Sequence, residues 1–399
     1  LNAFSLVWGA LSSPKRFETK NGGRKSNFFC VTLQPSKKNA RHTKQKAAMS
    51  SLLTKYADLL VHYCVELQPG EKLFVQSTTL AEPLVREVYR SALRAGAIVE
   101  VDLAFREKGR IFLNEASEAA LQHLPILQKT AFENFDAYLY IRAPFNLREE
   151  QNVNSEKAAL RREATKDLNR LYFERTATRS LKRNLCEYPT LAAAQQAGMS
   201  LEEFENFVFG ACKLFAEDPA EAWRKVRAEQ QKVVDLLNKS ETIRYLGPDF
   251  DLSFSCKGRT WINSDGQTNM PSGEVFTSPV EDSVNGVIRF SFPSIYMGHS
   301  VEGVTLWVKD GYIEKWEARQ GQDFLDKIFQ MEGTRRFGEA AIGTNYDINR
   351  ITKNILFDEK MGGTVHLAIG QSYLQTGGKN QSTVHWDMIT DMTNGGAIF

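Results

Sequence analysis

Two histidines, His366 and His385, sit inside apolar runs near the end of the 399-residue chain. Residues 364–369 and 383–389 are rich in β-branched and apolar side chains, and a Gly/Ser/Asn segment separates them. This predicts two strands joined by a loop. Alternate residues of a strand share a face, so His385 and Asp387 are expected to point the same way. An imidazole beside a carboxylate on a rigid element suits a divalent metal. It suits equally a buried polar clip in which the histidine donates to the aspartate.

The glutamates upstream favour the metal. Glu274 follows the turn Pro271-Ser272-Gly273 and opens the β-type segment Val275-Phe276-Thr277, a firm place from which to aim a carboxylate. Glu339 is a single acid among small and apolar residues, Gly338 to Asn345. Burying an unpaired carboxylate costs several kcal/mol unless a cation offsets it, so Glu339 is the strongest solitary candidate ligand. Asp358-Glu359 then leads through Gly362-Gly363 into His366. Glu274, Glu339, Glu359, His366, His385 and Asp387 form a set of hard oxygens and imidazoles suited to zinc, cobalt or manganese. It is large enough for two ions sharing a bridging carboxylate, which would activate a water and polarise a scissile carbonyl. There is no HExxH, which excludes a helix-borne zinc site. Tyr373, seven residues after His366, could hydrogen-bond an oxyanion or simply pack. Glu281 and Asp282 read as solvent-facing acids, or as a spare carboxylate for a substrate amine.

These residues need a scaffold, and helices alternate with strands from Met49 onward. Ser51 to Leu67 and Glu82 to Ala95 have helical spacing; 72–76, 98–103 and 136–141 read as strands. Strand, helix, strand at this spacing predicts a parallel sheet. Neither GxGxxG nor GxxxxGK[ST] is present, so this half is read as scaffold. A charged helix is expected over 155–178. Further helices should start at Ser200, with Glu203 completing a capping box, and at Asp218-Pro219. Composition turns to strands from Thr242. The expected class is α/β, with a parallel-sheet α/β domain over 49–240 and an α+β, strand-rich metal-binding domain over 241–399.

Composition narrows the function. No apolar run reaches the roughly 18 to 20 residues of a membrane span. Five cysteines lack CxxC spacing, which speaks for a reducing compartment and against a disulfide framework. Residues 1–48 hold ten Lys/Arg and one acid, a balance of +9, which leaves −7 on the rest of a chain of net +2. This stretch is expected to be a disordered basic extension outside the mature enzyme, either translated upstream sequence or a transit peptide. No base-reading module follows it, so a nucleic-acid role is not indicated. At the other end, Ala397-Ile398-Phe399 begins a strand that is expected to continue.

The sequence resembles the thermophilic-type metallo-aminopeptidases of family M29, the aminopeptidase T and aminopeptidase II group. The likeness is carried by NMPSGEVFTSPVEDSVNG at 269–286, GEAAIGTNYDINRITKNILFDEKMGGTVHLAIGQSY at 338–373 and TGGKNQSTVHWDMI at 376–389. The segments 52–76 and 188–212 resemble the family as well. The resemblance implies a homodimer in which an α/β domain supports a two-metal domain that removes N-terminal residues from peptides. It implies Glu274, Glu339, His366, His385 and Asp387 as metal ligands, with Glu339 the bridge, and Glu359 and Tyr373 as catalytic residues. A silent peptide-binding scaffold dimer and another two-metal amidohydrolase are the alternatives.

Overall fold

The computed structural model describes residues 49–399. The basic stretch 1–48, expected to be disordered, lies outside the described residues. Residues 53–58 are helical and run into a π-helical segment, Leu59–Cys64. Four strands follow: β1 (Lys72–Thr78), β2 (Ile98–Ala104), β3 (Ala137–Arg142) and β4 (Lys182–Glu187). They are mutually parallel in the order β2-β1-β3-β4. Helix Glu82–Arg94 returns the chain from β1 to β2; Leu84, Val85, Val88 and Ala92 form its buried stripe. Ser200 and Asp218 cap their helices as expected, accepting from Glu203 N at 3.2 Å and Glu221 N at 3.0 Å.

Two details differ from the expectation. The charged helix is two helices, Ser155–Ala164 and Lys166–Ala177. The break is at Thr165, whose hydroxyl bonds back to the Arg161 carbonyl at 3.0 Å and competes with the helical ladder. Strand β4 was not anticipated. Its sequence, KRNLCE, has polar residues on both faces, so a period of two is hard to see.

The remaining strands are β5 (Thr242–Gly247), β6 (Phe250–Ser255), β7 (Ile262–Ser264), β8 (Asn269–Met270), β9 (Glu274–Thr277), β10 (Asn285–Arg289), β11 (Ser294–Tyr296), β12 (His299–Val301), β13 (Thr305–Lys309), β14 (Tyr312–Glu317), β15 (Phe337–Gly343), β16 (Thr364–Gly370), β17 (His385–Asp391) and β18 (Ala397–Ile398). One antiparallel sheet runs β14-β13-β10-β6-β5-β18 and a second β17-β16-β15-β9-β7, while β11 and β12 form a separate hairpin. Both sheets feed one apolar core: Leu252, Phe254, Ile288 and Leu306 from the first, Val275, Ala340, Val365, Leu367 and Met388 from the second. Strand β8 leaves this half to extend the parallel sheet beside β4. Four residues later β9 begins with Glu274, so that carboxylate starts from the parallel sheet.

Candidate metal centre

Cross-strand register explains why the acids and histidines meet. On β16, Val365, Leu367 and Ile369 enter the core, which leaves His366 and Ala368 on the opposite face. Ala368 pairs with Glu339 on one side and Asp387 on the other. Gly370 pairs with His385, Ala341 with His366, and Gly343 with Glu274. Large donor side chains thus alternate with alanine and glycine, which leave room between them.

Glu339 reaches that face through a bulge. Phe337 pairs with Ile369 but Glu339 with Ala368, so Gly338 is the extra residue. The extra residue lets Phe337 and Ala340 both enter the core while Glu339 between them keeps the open face. Only glycine fits: a Cβ at 338 would meet the Gln371 carbonyl oxygen at 2.1 Å.

The convergence is close. Glu339 Oε2 lies 3.1 Å from His385 Nε2, and its Oε1 lies 3.5 Å from His366 Nε2. His366 Nε2 is also 3.8 Å from Glu274 Oε2 and 3.9 Å from Asp387 Oδ1, and Asp387 Oδ1 is 3.7 Å from His385 Nε2. His385 Nδ1 meets the Gln371 carbonyl at 2.8 Å. That contact fixes the proton on Nδ1 and turns the Nε2 lone pair inward. Glu339, His385 and Asp387 each bring one donor atom within 4.8 Å of the others.

The donor set fits a cation better than a hydrogen-bonded clip. Glu274 Oε2, Asp387 Oδ1 and both ring nitrogens of His366 are buried with no hydrogen-bond partner. Orphaned carboxylate oxygens cost too much to retain in such number without a positive partner. In the metal-free arrangement the imidazoles take up protons instead. Burial would push Glu339 up, but His366 and His385 hold it at about 2. Burial opposes charge on His366, which Glu339, Asp387 and Glu274 nevertheless raise to about 9. His385 is raised against burial by Asp387 and Glu339 to about 10.

Glu359 enters from outside the sheet. It follows the short helix Ile355–Asp358, capped by Asn354, whose Oδ1 accepts from Leu356 N at 3.3 Å. Asn354 also accepts from Arg142 Nη1 at 2.8 Å and donates to Glu187 Oε2 at 3.3 Å. Arg142 and Glu187 end β3 and β4, so the parallel sheet anchors the segment that carries Glu359. Burial pushes Glu359 up to about 8; Lys360 pulls it down while Glu274 and Asp387 push it further up.

Lys360 was not singled out in the sequence, where it reads as one charge in a DEK run. It is fully buried, with Nζ 3.2 Å from Glu274 Oε1 and in contact with Glu359 Oε1. No periodicity marks it, because it lies on a turn. Tyr373 packs edge-on against His385, ring centroids 4.9 Å apart, and against Phe276 at 5.5 Å. Although the Tyr373 ring is partly exposed, desolvation and the charges of Glu339, Asp387 and Glu359 hold its hydroxyl well above its ordinary value, so it stays a donor. Glu281 is not a spare acid: Arg259 Nη2 holds it at 2.5 Å and Lys379 N at 2.7 Å. Asp282 is exposed.

A family model described as thermophilic metalloprotease (M29) matches residues 49–395. Aminopeptidase 2 of Geobacillus stearothermophilus is 29% identical over 380 residues, spanning 84% of this chain and 91% of that protein. The solved AmpT from Thermus thermophilus shares the fold with a TM-score of 0.73 at 24% identity, over 87% of this chain and 97% of its own. A 2,5-dihydroxypyridine dioxygenase from Pseudomonas putida KT2440 shares it more loosely, with a TM-score of 0.52 at 13% identity over 88% and 93% of the two chains. Such likenesses concern the fold, which by itself does not choose a reaction. The family model spans nearly all of the described chain, donor residues included, and the chain therefore belongs to the M29 thermophilic metalloproteases.

Proposed function

We propose that the chain is a metal-dependent aminopeptidase that cleaves the N-terminal peptide bond with two divalent ions shared by Glu339. The observation that carries this is the split of one carboxylate between two imidazoles, Oε1 toward His366 and Oε2 toward His385. His385, Asp387 and Glu339 would hold one ion, and His366, Glu274 and Glu339 would hold the other. Zinc, cobalt and manganese all suit oxygen and imidazole donors. Bound there, such ions supply the Lewis acidity that polarises a carbonyl and eases deprotonation of an attacking water.

The chain's own residues do the rest. Glu359, whose Oε1 rests on Lys360, takes the water's proton on its carboxylate and passes it to the departing amine. The Tyr373 hydroxyl, kept protonated, donates to the oxygen that gains charge. The buried face of the sheet excludes bulk water, while half-buried His385 marks the side open to substrate. The names of relatives such as Aminopeptidase 2 and AmpT support peptides with a free N-terminus as substrates.

The same reading extends to a homodimer in a reducing, cytoplasmic setting. Exposed Ile98 and Val101 lie on the open edge strand β2, an edge that a second copy would cover. The four described cysteines are buried and unpaired, and no described helix is long and apolar enough to cross a membrane. The function is tested with aminoacyl-p-nitroanilides, free and N-acetylated, after chelation and repletion with zinc, cobalt or manganese. Turnover of only the free-amine substrates, restored by metal, is expected. Equal turnover of blocked substrates, or indifference to chelation, would contradict it.

A further inference from the structure

Lys360 is 0% exposed and sits against two carboxylates of a site read here as cationic. A buried ammonium is expensive to desolvate, and beside metal ions it adds like-charge repulsion. Its contacts suggest what it is for. Nζ occupies Glu274 Oε1 at 3.2 Å, and it is the other oxygen, Oε2, that is left without a partner 3.8 Å from His366 Nε2. Glu339 differs: among the described residues no lysine or arginine pairs with it, and each of its oxygens faces a different imidazole.

We infer that Lys360 is a positioning residue that restricts Glu274 to one donor oxygen, so that the ion on the His366 side keeps a low coordination number and an open position for substrate. This rests on the two-ion reading above. Two consequences follow from geometry and charge. With Lys360 in place, an ion chelated through both oxygens of Glu274 would be drawn against the ammonium on Oε1, and like-charge repulsion disfavours that mode. Removing the ammonium frees that oxygen and also removes a repelling charge, so metal should bind more tightly while the vacant position closes.

The test compares wild-type protein with Lys360→Met, which keeps the stem and loses the charge, and with Lys360→Gln, which retains a donor. Each is loaded with Co(II) and followed by visible absorption and by competition with a chelator. In Lys360→Met the ligand-field bands should weaken, as they do when coordination number rises, and affinity at one subsite should increase at least about tenfold. Lys360→Gln, still able to donate to Glu274 Oε1, should keep band intensity nearer to wild type. Bands and affinity unchanged in Lys360→Met would overturn the role. Should the variants not fold, a crystal structure of the metal-loaded wild type decides: one Glu274 oxygen on the ion and the other on Lys360 is expected, and two oxygens on the ion would overturn the inference. Wild-type protein that binds no ion overturns the reading beneath it. Ions bound without peptide cleavage overturn only the proposed reaction and leave the role of Lys360 standing.

Discussion

Glu339 and Asp387 are register partners of the same residue, Ala368, one on each neighbouring strand. The methyl group between them is what allows two carboxylates and two imidazoles to close on a shared volume.

Ala368→Leu should therefore abolish the centre from beneath. The added carbons have no room, since Ala368 is fully buried, and overpacking of this kind costs about 1–3 kcal/mol. Activity should fall more than roughly a hundredfold and at least one ion should be lost, with secondary structure by circular dichroism retained. Wild-type metal content in that variant would show that the ions sit elsewhere.

Glu339→Gln probes the bridge by charge alone. The amide is nearly isosteric but cannot offset two cations, so most activity and at least one ion should disappear. Metal analysis by inductively coupled plasma mass spectrometry checks it. Two ions at full activity would remove Glu339 from the role.

The pH dependence separates metal-free from metal-loaded protein. Without metal, His366 at about 9 and His385 at about 10 lie above the ordinary imidazole value of 6.5, and Glu359 at about 8 lies above the ordinary 4.5. Each binds protons more tightly when folded, so its stabilisation is full below the unfolded value and lost as pH rises through the folded one. Glu339, at about 2, has the opposite sign, and its contribution is lost only as pH falls toward that value. The metal-free protein should thus lose stability between about pH 4.5, where Glu359 begins to contribute, and about pH 10. Metal needs neutral imidazoles and ionised carboxylates, so the rise in Tm on adding metal should grow over the same interval. Thermal melts with and without chelator give both curves. Parallel curves would mean that the imidazoles do not bind the ion.

Asn354→Ala tests the anchor between the parallel sheet and Glu359. The variant leaves buried Glu187 without its amide donor, at a cost of about 1–3 kcal/mol. With Glu359 less firmly held, kcat should drop roughly tenfold while both ions stay bound. Loss of metal, or unchanged kcat, would mean that the anchor acts otherwise.

Much of this was legible in the sequence where a pattern is local. Glu274 after its turn, the alternation around His385 and Asp387, and the caps at Ser200 and Asp218 all have short-range signals. Glu339 could be suspected because a lone acid among small residues needs a partner, but the bulge at Gly338 beside it depends on register with β16. Lys360 and Asn354 carry no signal of their own, since their importance comes from partners far along the chain: Glu274 for one, Arg142 and Glu187 for the other. The role of β8 in joining the two halves was hidden for the same reason. Glu281 shows the converse, for a free-looking acid proved to be tied to Arg259.

The most direct measurement is a titration of chelated protein with zinc or cobalt, following bound ions per chain and initial rate of Leu-p-nitroanilide hydrolysis together. A centre bridged by Glu339 should bind two ions per chain and reach full rate only as the second is taken up. Full activity at one ion per chain, with no further binding, would contradict the shared carboxylate on which the account rests.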